Sequence, residues 1–248
     1  MKVNILGVQI SNLTRLEVLS QIEGFINSKT KHYIVTPNPE FVMDAQKDSE
    51  FQQVLNQADI AIPDGIGLIF ASWYFFRPIK QRIHGVDLCW DLFKLSAQNN
   101  WSVYLFGGEE GITDKLIAVD TVKILKNKYP SLKIDCYNSE YRYGLDANEP
   151  VIEAINRFKP DILLVALGHR KQEKWIAKNL DKLEVKVAIG VGGTFDYISG
   201  KIERAPVWIR QLGLEWLYRL FKQPSRLPRI IKATFKFVSK VILWPIKK

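Results

Sequence analysis

The sequence has no uninterrupted apolar stretch of about 18 residues, so no membrane-spanning helix is predicted. Its first twelve residues include Asn4, Gln9 and Asn12 and no long apolar run, so we expect no signal peptide. Cysteine is scarce too. Cys89 and Cys136 offer neither a disulfide framework nor metal-ligand spacing, and we expect two buried thiols in a reducing cytosol.

Several ligand-binding signatures are also missing. Neither the dinucleotide pattern GxGxxG nor the phosphate-binding pattern GxxxxGK[ST] occurs. No D-x-D motif is present to hold a divalent ion against a nucleotide diphosphate, and His32, His84 and His169 lack metal-ligand spacing. We therefore predict no metal and no cofactor, which leaves protein cations to offset the charge of any phosphorylated substrate.

Positive charge is abundant but confined to one end of the chain. The net charge is +9 over 248 residues, whereas twelve Lys and Arg stand against two acids from Gly200 onward. The first 199 residues are thus nearly neutral. Such asymmetry indicates an anionic partner, which could be a membrane surface, a nucleic acid or a phosphorylated substrate.

The basic end has two apolar patterns, separated by Pro224 and Pro228. Four residues at a spacing of four predict one shared helix face: Trp208, Leu212, Trp216 and Leu220. A second apolar stripe, beside Lys232, Lys236 and Lys240, comprises Ile231, Phe235, Val238 and Ile242. A lysine-edged amphipathic helix is typical of membrane interfaces. The alternative is a helix packed on the domain with solvated lysines.

Upstream of this appendage, short apolar runs alternate with helical patterns. Strands are predicted at His32–Thr36, Asp59–Ile62, Ser102–Phe106, Leu132–Cys136, Ile162–Leu167 and Val185–Ile189. Helices are predicted near Leu13–Asn27, Glu40–Asn56, Val86–Asn99, Gly111–Lys128, Glu149–Phe158 and Lys171–Asp181. Continuous apolar strands suit a parallel sheet covered on both faces. We predict a Rossmann-like, doubly wound α/β core over residues 1–200 and a helical appendage over residues 201–248.

Polar and glycine clusters follow the predicted strands, where ligands bind in such sheets. They lie at residues 36–39, 63–67, 107–109, 168–173 and 190–194. Asp64 follows a strand and could act as a general base, although a turn Asp that caps the next helix is the commoner case. Thr36 and Asn38 could bind a sugar hydroxyl or acetamide, or could simply form the turn.

Other candidates carry weaker signals. Amides at Gly107 and Gly108 could bind a phosphate at a helix start, or these glycines could form a tight turn. Gln172 could bind a sugar or base edge, or lie at an exposed helix start. Forked guanidinium groups bind diphosphates and stabilise a departing phosphate, although a solvated basic face is the usual alternative: Arg219, Arg226 and Arg229.

These stretches together resemble the WecG/TagA/CpsF family of bacterial glycosyltransferases, from about Val3 to Arg229. The resembling segments are Thr36–Glu40, Pro63–Gly67, Arg82, Gly85–Leu88, Phe106–Gly108, Leu167–Gly168, Lys171–Glu173, Gly190–Gly192, Arg204–Pro206 and Gly213–Leu220.

The resemblance implies a metal-independent, inverting transferase that acts in teichoic acid, common antigen or exopolysaccharide synthesis. It implies transfer of an N-acetylmannosamine-type or related sugar from a UDP donor to a polyprenyl-diphosphate-linked sugar. It also implies a cytoplasmic enzyme, peripheral on the inner membrane face, whose appendage docks there and is masked by oligomerisation.

The resemblance also assigns roles to residues. Asp64 matches the catalytic base, and the three appendage arginines match groups that close over the leaving UDP. Pocket positions are matched by Thr36, Asn38, Arg82 and Gln172, and we add the loop glycines Gly107, Gly108 and Gly192 to the substrate site.

Two positions depart from the family pattern. Arg170 stands where Pro is usual, and His84 stands where Thr is frequent. Both flank the implied donor pocket, so the transferred sugar is not fixed by the resemblance.

Two other functions were weighed against this one. A nucleic-acid-binding module would explain the basic tail but not the polar loops at one sheet end. A nicotinamide-dependent oxidoreductase would suit the fold but lacks GxGxxG.

Overall fold

In a computed structural model, the chain is described over residues 1–108, 117–137 and 148–244, without the side chains of Asn148 and Arg226. Its contacts divide it into two compact units. Unit 1 comprises residues 1–15, 36–84 and 203–248, and unit 2 comprises residues 16–35 and 85–202. The chain thus re-enters unit 1 at Glu203, close to the predicted start of the appendage.

Unit 2 is built on five parallel strands, numbered here in chain order. They are β3 (His32–Val35), β5 (Ser102–Gly107), β6 (Lys133–Cys136), β7 (Ile162–Ala166) and β8 (Val187–Gly190). Their order is β3-β8-β7-β5-β6, and every neighbouring pair is parallel. All five β7 residues are buried, as expected for a strand covered on both faces.

Helices of unit 2 cover both faces of these strands. They are α1 (Arg15–Ile26), α5 (Gly85–Asn99), α6 (Ile117–Lys128), α7 (Asn148–Phe158), α8 (Lys171–Asn179) and α9 (Thr194–Ile198). The chain runs from β5 to β6 in one direction and from β6 through β7 to β8 in the other. Right-handed crossovers therefore place α6 opposite α7 and α8, which confirms the doubly wound α/β prediction.

Unit 1 contains elements that the sequence patterns did not indicate. A hairpin joins β1 (Lys2–Ile5) to β2 (Val8–Ser11) through Leu6 and Gly7, whose positive φ angles of 50° and 85° suit a tight two-residue hairpin turn. The missed signal was the alternation of apolar residues on both sides of this turn. Helix α4 (Ile66–Tyr74) was not predicted either, whereas strand β4 (Ile60–Ala61) lies within the predicted strand Asp59–Ile62.

The helix predicted over Glu40–Asn56 is two helices, α2 (Pro39–Ala45) and α3 (Ser49–Gln57). The Asp48 carboxylate accepts the Phe51 N–H at 3.0 Å and caps a new helix there. A side chain that captures an N-terminal amide starts a helix rather than continuing one. The prediction of one continuous helix was therefore wrong.

The appendage forms four short helices with irregular junctions. They are α10 (Val207–Gln211), α11 (Glu215–Lys222), α12 (Leu227–Ile231) and α13 (Phe237–Leu243), with a π-helical segment at Lys232–Lys236. The chain turns at Gly213, where φ is +76°. Trp208 and Trp216 therefore lie on different helices, and the prediction of one shared helix face was wrong.

The π-helical segment decides which side of the tail is buried. Phe237 and Val241 are fully buried, and α13 packs on α4 and α2. The predicted stripe points outward instead, since Phe235 is 77% exposed and Ile242 is 52% exposed. An extra residue in one helical turn shifts the phase of everything after it. The tail thus packs on unit 1 and still presents an apolar, lysine-edged face.

Phe235, in the π-helical segment, and Phe237, at the start of α13, make a matched test of which face of the tail is buried. We expect Phe237→Ala to lower the free energy of unfolding by about 3–5 kcal/mol, because it empties a fully buried site. Phe235→Ala should change it by less than about 0.5 kcal/mol, because the ring is exposed. Chemical denaturation of the full chain measures both, and equal losses would contradict the observed phase.

Candidate active site

The catalytic candidate Asp64 lies in unit 1, directly after β4. Its backbone N–H donates to the Pro37 carbonyl at 2.9 Å, which joins its loop to the loop after β3. The Ile83 N–H donates to the Pro63 carbonyl at 3.0 Å and brings in a third segment. The N-cap of α4 is Gly65, which has no side chain to cap with. The Asp64 carboxylate is one-third exposed, at the meeting point of three loops.

An imidazole lies between Asp64 and a second carboxylate. His84 Nδ1 is 3.6 Å from Asp64 Oδ1 and 3.5 Å from Glu215 Oε2. Glu215 begins α11, so it comes from the appendage, and its Oε1 is 3.9 Å from Arg204 Nε. The side chains of His84, Glu215 and Arg204 are each 18% exposed. We call Asp64, His84, Glu215 and Arg204 the acid–imidazole cluster.

Arg82 also meets the appendage. Its Nη2 donates a short hydrogen bond to the Arg210 carbonyl, at the end of α10. A Cβ at Gly213 would come within 3.2 Å of Arg82 Nη1, so glycine there permits the close approach. The arginine predicted to line the pocket is therefore held by the appendage backbone.

The loop after β3 supplies the predicted sugar-binding pair, Thr36 and Asn38. Asn38 Oδ1 accepts the N–H groups of Glu40 and Phe41 at 2.8 and 3.1 Å, and so caps α2. This cap leaves Nδ2 as the Asn38 group suited to a ligand. Thr36 is half-buried. Their roles in substrate binding stay predictions.

Of the three appendage arginines, Arg229 is already engaged. Its Nε and Nη2 donate to the Glu40 carboxylate at 3.0 and 2.9 Å, in a forked pair. Glu40 is only 11% exposed. Arg219 is half-buried on α11, and the Arg226 side chain lies outside what the structure describes. Arg229 would have to leave Glu40 to contact a leaving phosphate.

In unit 2, the predicted site glycines lie at the carboxyl ends of β5 and β8. Connections leave β5 and β7 in opposite directions, which defines the crevice where such sheets bind ligands. A Cβ at Gly107 would lie 2.4 Å from the Ala166 carbonyl, so only glycine fits. The Gly108 N–H already donates to that carbonyl at 2.8 Å. A phosphate would have to displace that partner, and Glu109 lies outside the described residues.

Gln172 organises the other glycine loop of unit 2. Its Oε1 accepts the Gly192 N–H at 3.0 Å, and its Nε2 donates to Glu173 Oε1 at 2.5 Å. Both side chains are buried under Gly190, where a Cβ would meet Glu173 Oε1 at 2.8 Å. The predicted alternative of an exposed helix start is therefore wrong for Gln172. This network fixes the loop after β8.

The Glu173 carboxyl is fully buried, and no cation among the described residues contributes to the shift of its pKa. Burial raises the pKa of its carboxyl from 4.5 to about 7, against the opposing hydrogen bond from Gln172. Glu173 Oε2 has no hydrogen-bond partner among the described residues. A carboxyl in such surroundings is held in its neutral form more readily than in water.

Arg170 directly precedes α8 and has a φ of +68°. Proline is locked near −65° and could not adopt that conformation. Proline in place of Arg170 would therefore require a different backbone conformation at this position of the chain.

The structure brings the predicted residues together in two groups. Unit 1 holds Asp64, Thr36, Asn38, Arg82 and the appendage arginines, while unit 2 holds Gly107, Gly108, Gln172 and Gly192. Sequence reasoning missed Glu215 and Glu40 as partners, and it gave His84 no role. Sequence offered little signal for them, because their significance lies in contacts between distant segments.

Similarity to known proteins spans nearly the whole chain. The family model described as Glycosyl transferase WecG/TagA/CpsF family matches residues 3–248. An N-acetylglucosaminyldiphosphoundecaprenol N-acetyl-beta-D-mannosaminyltransferase of Staphylococcus aureus strain MRSA252 is 33% identical, covering 92% of this chain and 88% of that protein. A protein of the same name from strain MW2 is 32% identical over the same shares.

Glu173 generates a test of the buried network. Above pH 4.5 an unfolded chain releases this proton while the folded protein keeps it up to about pH 7, so stability falls as pH rises through that window. The loss amounts to about 3 kcal/mol at most. Glu173→Gln should remove it and gain stability relative to wild type between pH 5 and pH 8, in thermal unfolding.

The control is Glu153→Gln, at an exposed position of α7. This variant should keep the wild-type pH slope. An unchanged slope in Glu173→Gln would show that the carboxyl does not titrate in this range.

Proposed function

The chain belongs to the WecG/TagA/CpsF family of glycosyltransferases, and from that membership we propose its reaction. It transfers an N-acetylmannosamine-type sugar from UDP to a polyprenyl-diphosphate-linked N-acetylglucosamine, in cell-surface polysaccharide synthesis such as that of teichoic acid. The observation that carries the proposal is the Asp64 carboxylate, partly exposed where three loops of unit 1 meet the appendage.

Asp64 acts as the general base in this proposal. Its carboxylate takes the proton from an acceptor hydroxyl as the oxygen attacks the anomeric carbon. The new glycosidic C–O bond forms while the bond to UDP breaks, and UDP leaves with the electron pair. Attack from the face opposite UDP inverts the anomeric configuration. A general base of this kind contributes about 10²–10⁴-fold to rate.

Protein cations offset the charge on the departing diphosphate. Arg219 and Arg226 belong to the appendage, and Arg229 can join them by exchanging Glu40 for phosphate oxygens. Guanidinium groups match both acceptors, because each presents two oxygens to a planar fork. This arrangement does the work that a divalent ion does in other nucleotide-sugar transferases. Metal independence thus forms part of the proposal.

Donor recognition is assigned to the loops after the parallel strands. Asn38 Nδ2 and Thr36 suit a hydroxyl or acetamide group of the sugar. In unit 2, Gln172 holds the Gly192 amide in place, and Gly107 and Gly108 border the crevice at the switch of strand connections.

The family membership supports a glycosyltransferase over the two other functions considered. A nicotinamide-dependent oxidoreductase and a nucleic-acid-binding module both leave the family match unexplained. The basic tail, which had favoured nucleic acid, is explained equally well by an anionic membrane.

Transfer itself is the first test of the proposal. With UDP-N-acetylmannosamine and a short-chain lipid-diphosphate N-acetylglucosamine acceptor, wild-type protein should release UDP and form a disaccharide lipid. Asp64→Asn should lower kcat at least about 100-fold, because the amide cannot accept the proton. UDP binding by calorimetry should persist in this variant.

Asp59→Asn is the matched control, since it makes the same change at an exposed position five residues earlier. It should retain activity. EDTA should leave wild-type turnover intact. Full activity in Asp64→Asn would refute the base, and strong inhibition by EDTA would refute metal independence.

An apolar surface on unit 1 supports a peripheral membrane location. Within the described ranges, no helix is long and apolar enough to cross a bilayer. Unit 1 nevertheless exposes many large apolar side chains, of which those on or beside α4 are Ile66, Phe70, Trp73 and Phe76. Those of the appendage include Trp208, Leu212, Phe221, Phe235, Ile242 and Leu243.

The α4 set adjoins the appendage residues that lie on α13. Helix α13 packs on α4, and Tyr74 Oη donates to the Ile242 carbonyl at 3.2 Å. Monomeric proteins seldom expose apolar patches of this kind without a partner. With exposed Lys236 and Lys240 alongside, an anionic bilayer at the inner face of the cell membrane is the partner we propose. A homo-oligomer would cover part of the same surface.

Charge reversal tests the membrane assignment without uncovering the buried Phe237. Lys236→Glu with Lys240→Glu should weaken binding to vesicles containing phosphatidylglycerol at least about tenfold in sedimentation. Lys126→Glu with Lys178→Glu makes the same net change on exposed positions of unit 2 and should bind like wild type. Equal binding by all three proteins would refute the assignment.

A further inference from the structure

We propose that His84 is a positioning residue for the Asp64 carboxylate, and that Glu215 of the appendage fixes the His84 ring. The inference rests on the proposed function of Asp64 as the base. It assigns a role to a side chain that the sequence patterns left without one.

The geometry places one ring nitrogen against two carboxylates. His84 Nδ1 lies 3.6 Å from Asp64 Oδ1 and 3.5 Å from Glu215 Oε2. Both distances are slightly long for hydrogen bonds, as is common for catalytic contacts before substrate binds. A nitrogen flanked by two carboxylate oxygens is held in its N–H form, since an acceptor there would repel both. His84 therefore donates from Nδ1.

Such a donor constrains the base. An aspartate carboxylate can rotate about χ1 and χ2, whereas a general base must point one oxygen at the attacking hydroxyl. In the proposed role, the Nδ1 donor closes on Oδ1 when substrate binds, which leaves Oδ2 to receive the proton. The Ile83 N–H donates to the Pro63 carbonyl and holds the backbone next to His84, and Glu215 lies against the ring and sets its direction.

Glu215 is itself anchored on two sides. Arg204 Nε lies 3.9 Å from its Oε1, and its place in the first turn of α11 suits a negative charge near the helix N-terminus. The groups of unit 1 that this geometry places around His84 are thus Asp64 and Glu215, with Arg204 behind Glu215. The cluster links the base to the appendage through side chains alone.

The arrangement has a mechanistic consequence. Only a seated appendage supplies Glu215, so the orientation of Asp64 depends on the tail that we assign to the membrane. A structural role for His84 would predict lost stability without a selective effect on turnover. A positioning role predicts a lower kcat with little change in substrate KM.

The test compares two substitutions of His84 in the full-length protein. His84→Ala removes the donor and should lower kcat about 10- to 100-fold, the value of a hydrogen bond to a charged group. The KM values for UDP-sugar and lipid acceptor should stay within about threefold of wild type, because ground-state binding is unchanged. His84→Asn places an amide N–H near the Nδ1 position and should recover at least about tenfold over His84→Ala.

Controls separate this inference from the proposed function. His32→Ala removes an imidazole from unit 2 and should keep wild-type kcat, and thermal unfolding checks that every variant is folded. His84→Gln serves as a third variant, because its amide reaches beyond the Nδ1 position and should not restore kcat. Comparing His84→Asn with His84→Gln keeps the test decisive even where His84→Ala fails to fold.

The outcomes divide cleanly. Loss of transfer in Asp64→Asn with wild-type kcat in folded His84→Ala, or equal kcat in His84→Asn and His84→Gln, overturns the positioning role alone. Retained transfer in Asp64→Asn overturns the proposed base, and no transfer from any UDP-sugar by wild type overturns the proposed function. A selective fall in kcat with rescue by Asn supports the inference.

Discussion

Attachment of the tail to unit 1 is the contact on which the arrangement of this unit depends. Phe237 and Val241 bury completely against α2 and α4. The 2.5 Å Lys232–Asp44 contact lies about one helical turn before Phe237, and the forked Arg229–Glu40 pair lies about two turns before it. Apolar burial supplies most of the stabilisation, since ion pairs of partly exposed groups contribute modestly. The ion pairs instead fix the direction in which the tail helix runs across α2, because Glu40 and Asp44 lie one turn apart on α2.

That attachment has chemical consequences further along the tail. With α13 in place, the turn at Gly213 lies against Arg82 and Ile66, and Glu215 reaches His84. A basic tail is thereby part of a site whose central group is an acid. Glu40 and Asp44 compensate two of its cations, so the attached tail carries less free charge than the sequence suggests. Its exposed side chains include Lys236, Lys240 and several large apolar residues, which form the surface of the proposed membrane contact.

In unit 2, the loops that follow the parallel strands are held in place by buried contacts. Its central strands β7 and β8 are buried throughout. The loops at the carboxyl ends of the strands are held by close packing, with Gly107 against Ala166 and Gly190 over Glu173. Polar groups buried there need hydrogen-bond partners within the protein. Gln172 donates to Glu173 Oε1 and accepts from the Gly192 N–H. Burial raises the pKa of Glu173, and no cation among the described residues offsets the charge of the ionised form.

The sequence alone determined the fold class, the positions of the strands from His32 onward within about two residues, and the candidate base, because apolar runs and strand-end polar loops depend on short-range pattern. It did not indicate the β1–β2 hairpin. The tertiary structure decided which tail face is buried, since the π-helical segment at Lys232–Lys236 shifts a phase that periodicity assumes constant. It also decided that Arg229 pairs with Glu40, that Gln172 is buried, and that His84 lies between Asp64 and Glu215. Those contacts join segments up to about 190 residues apart, and no local pattern encodes them.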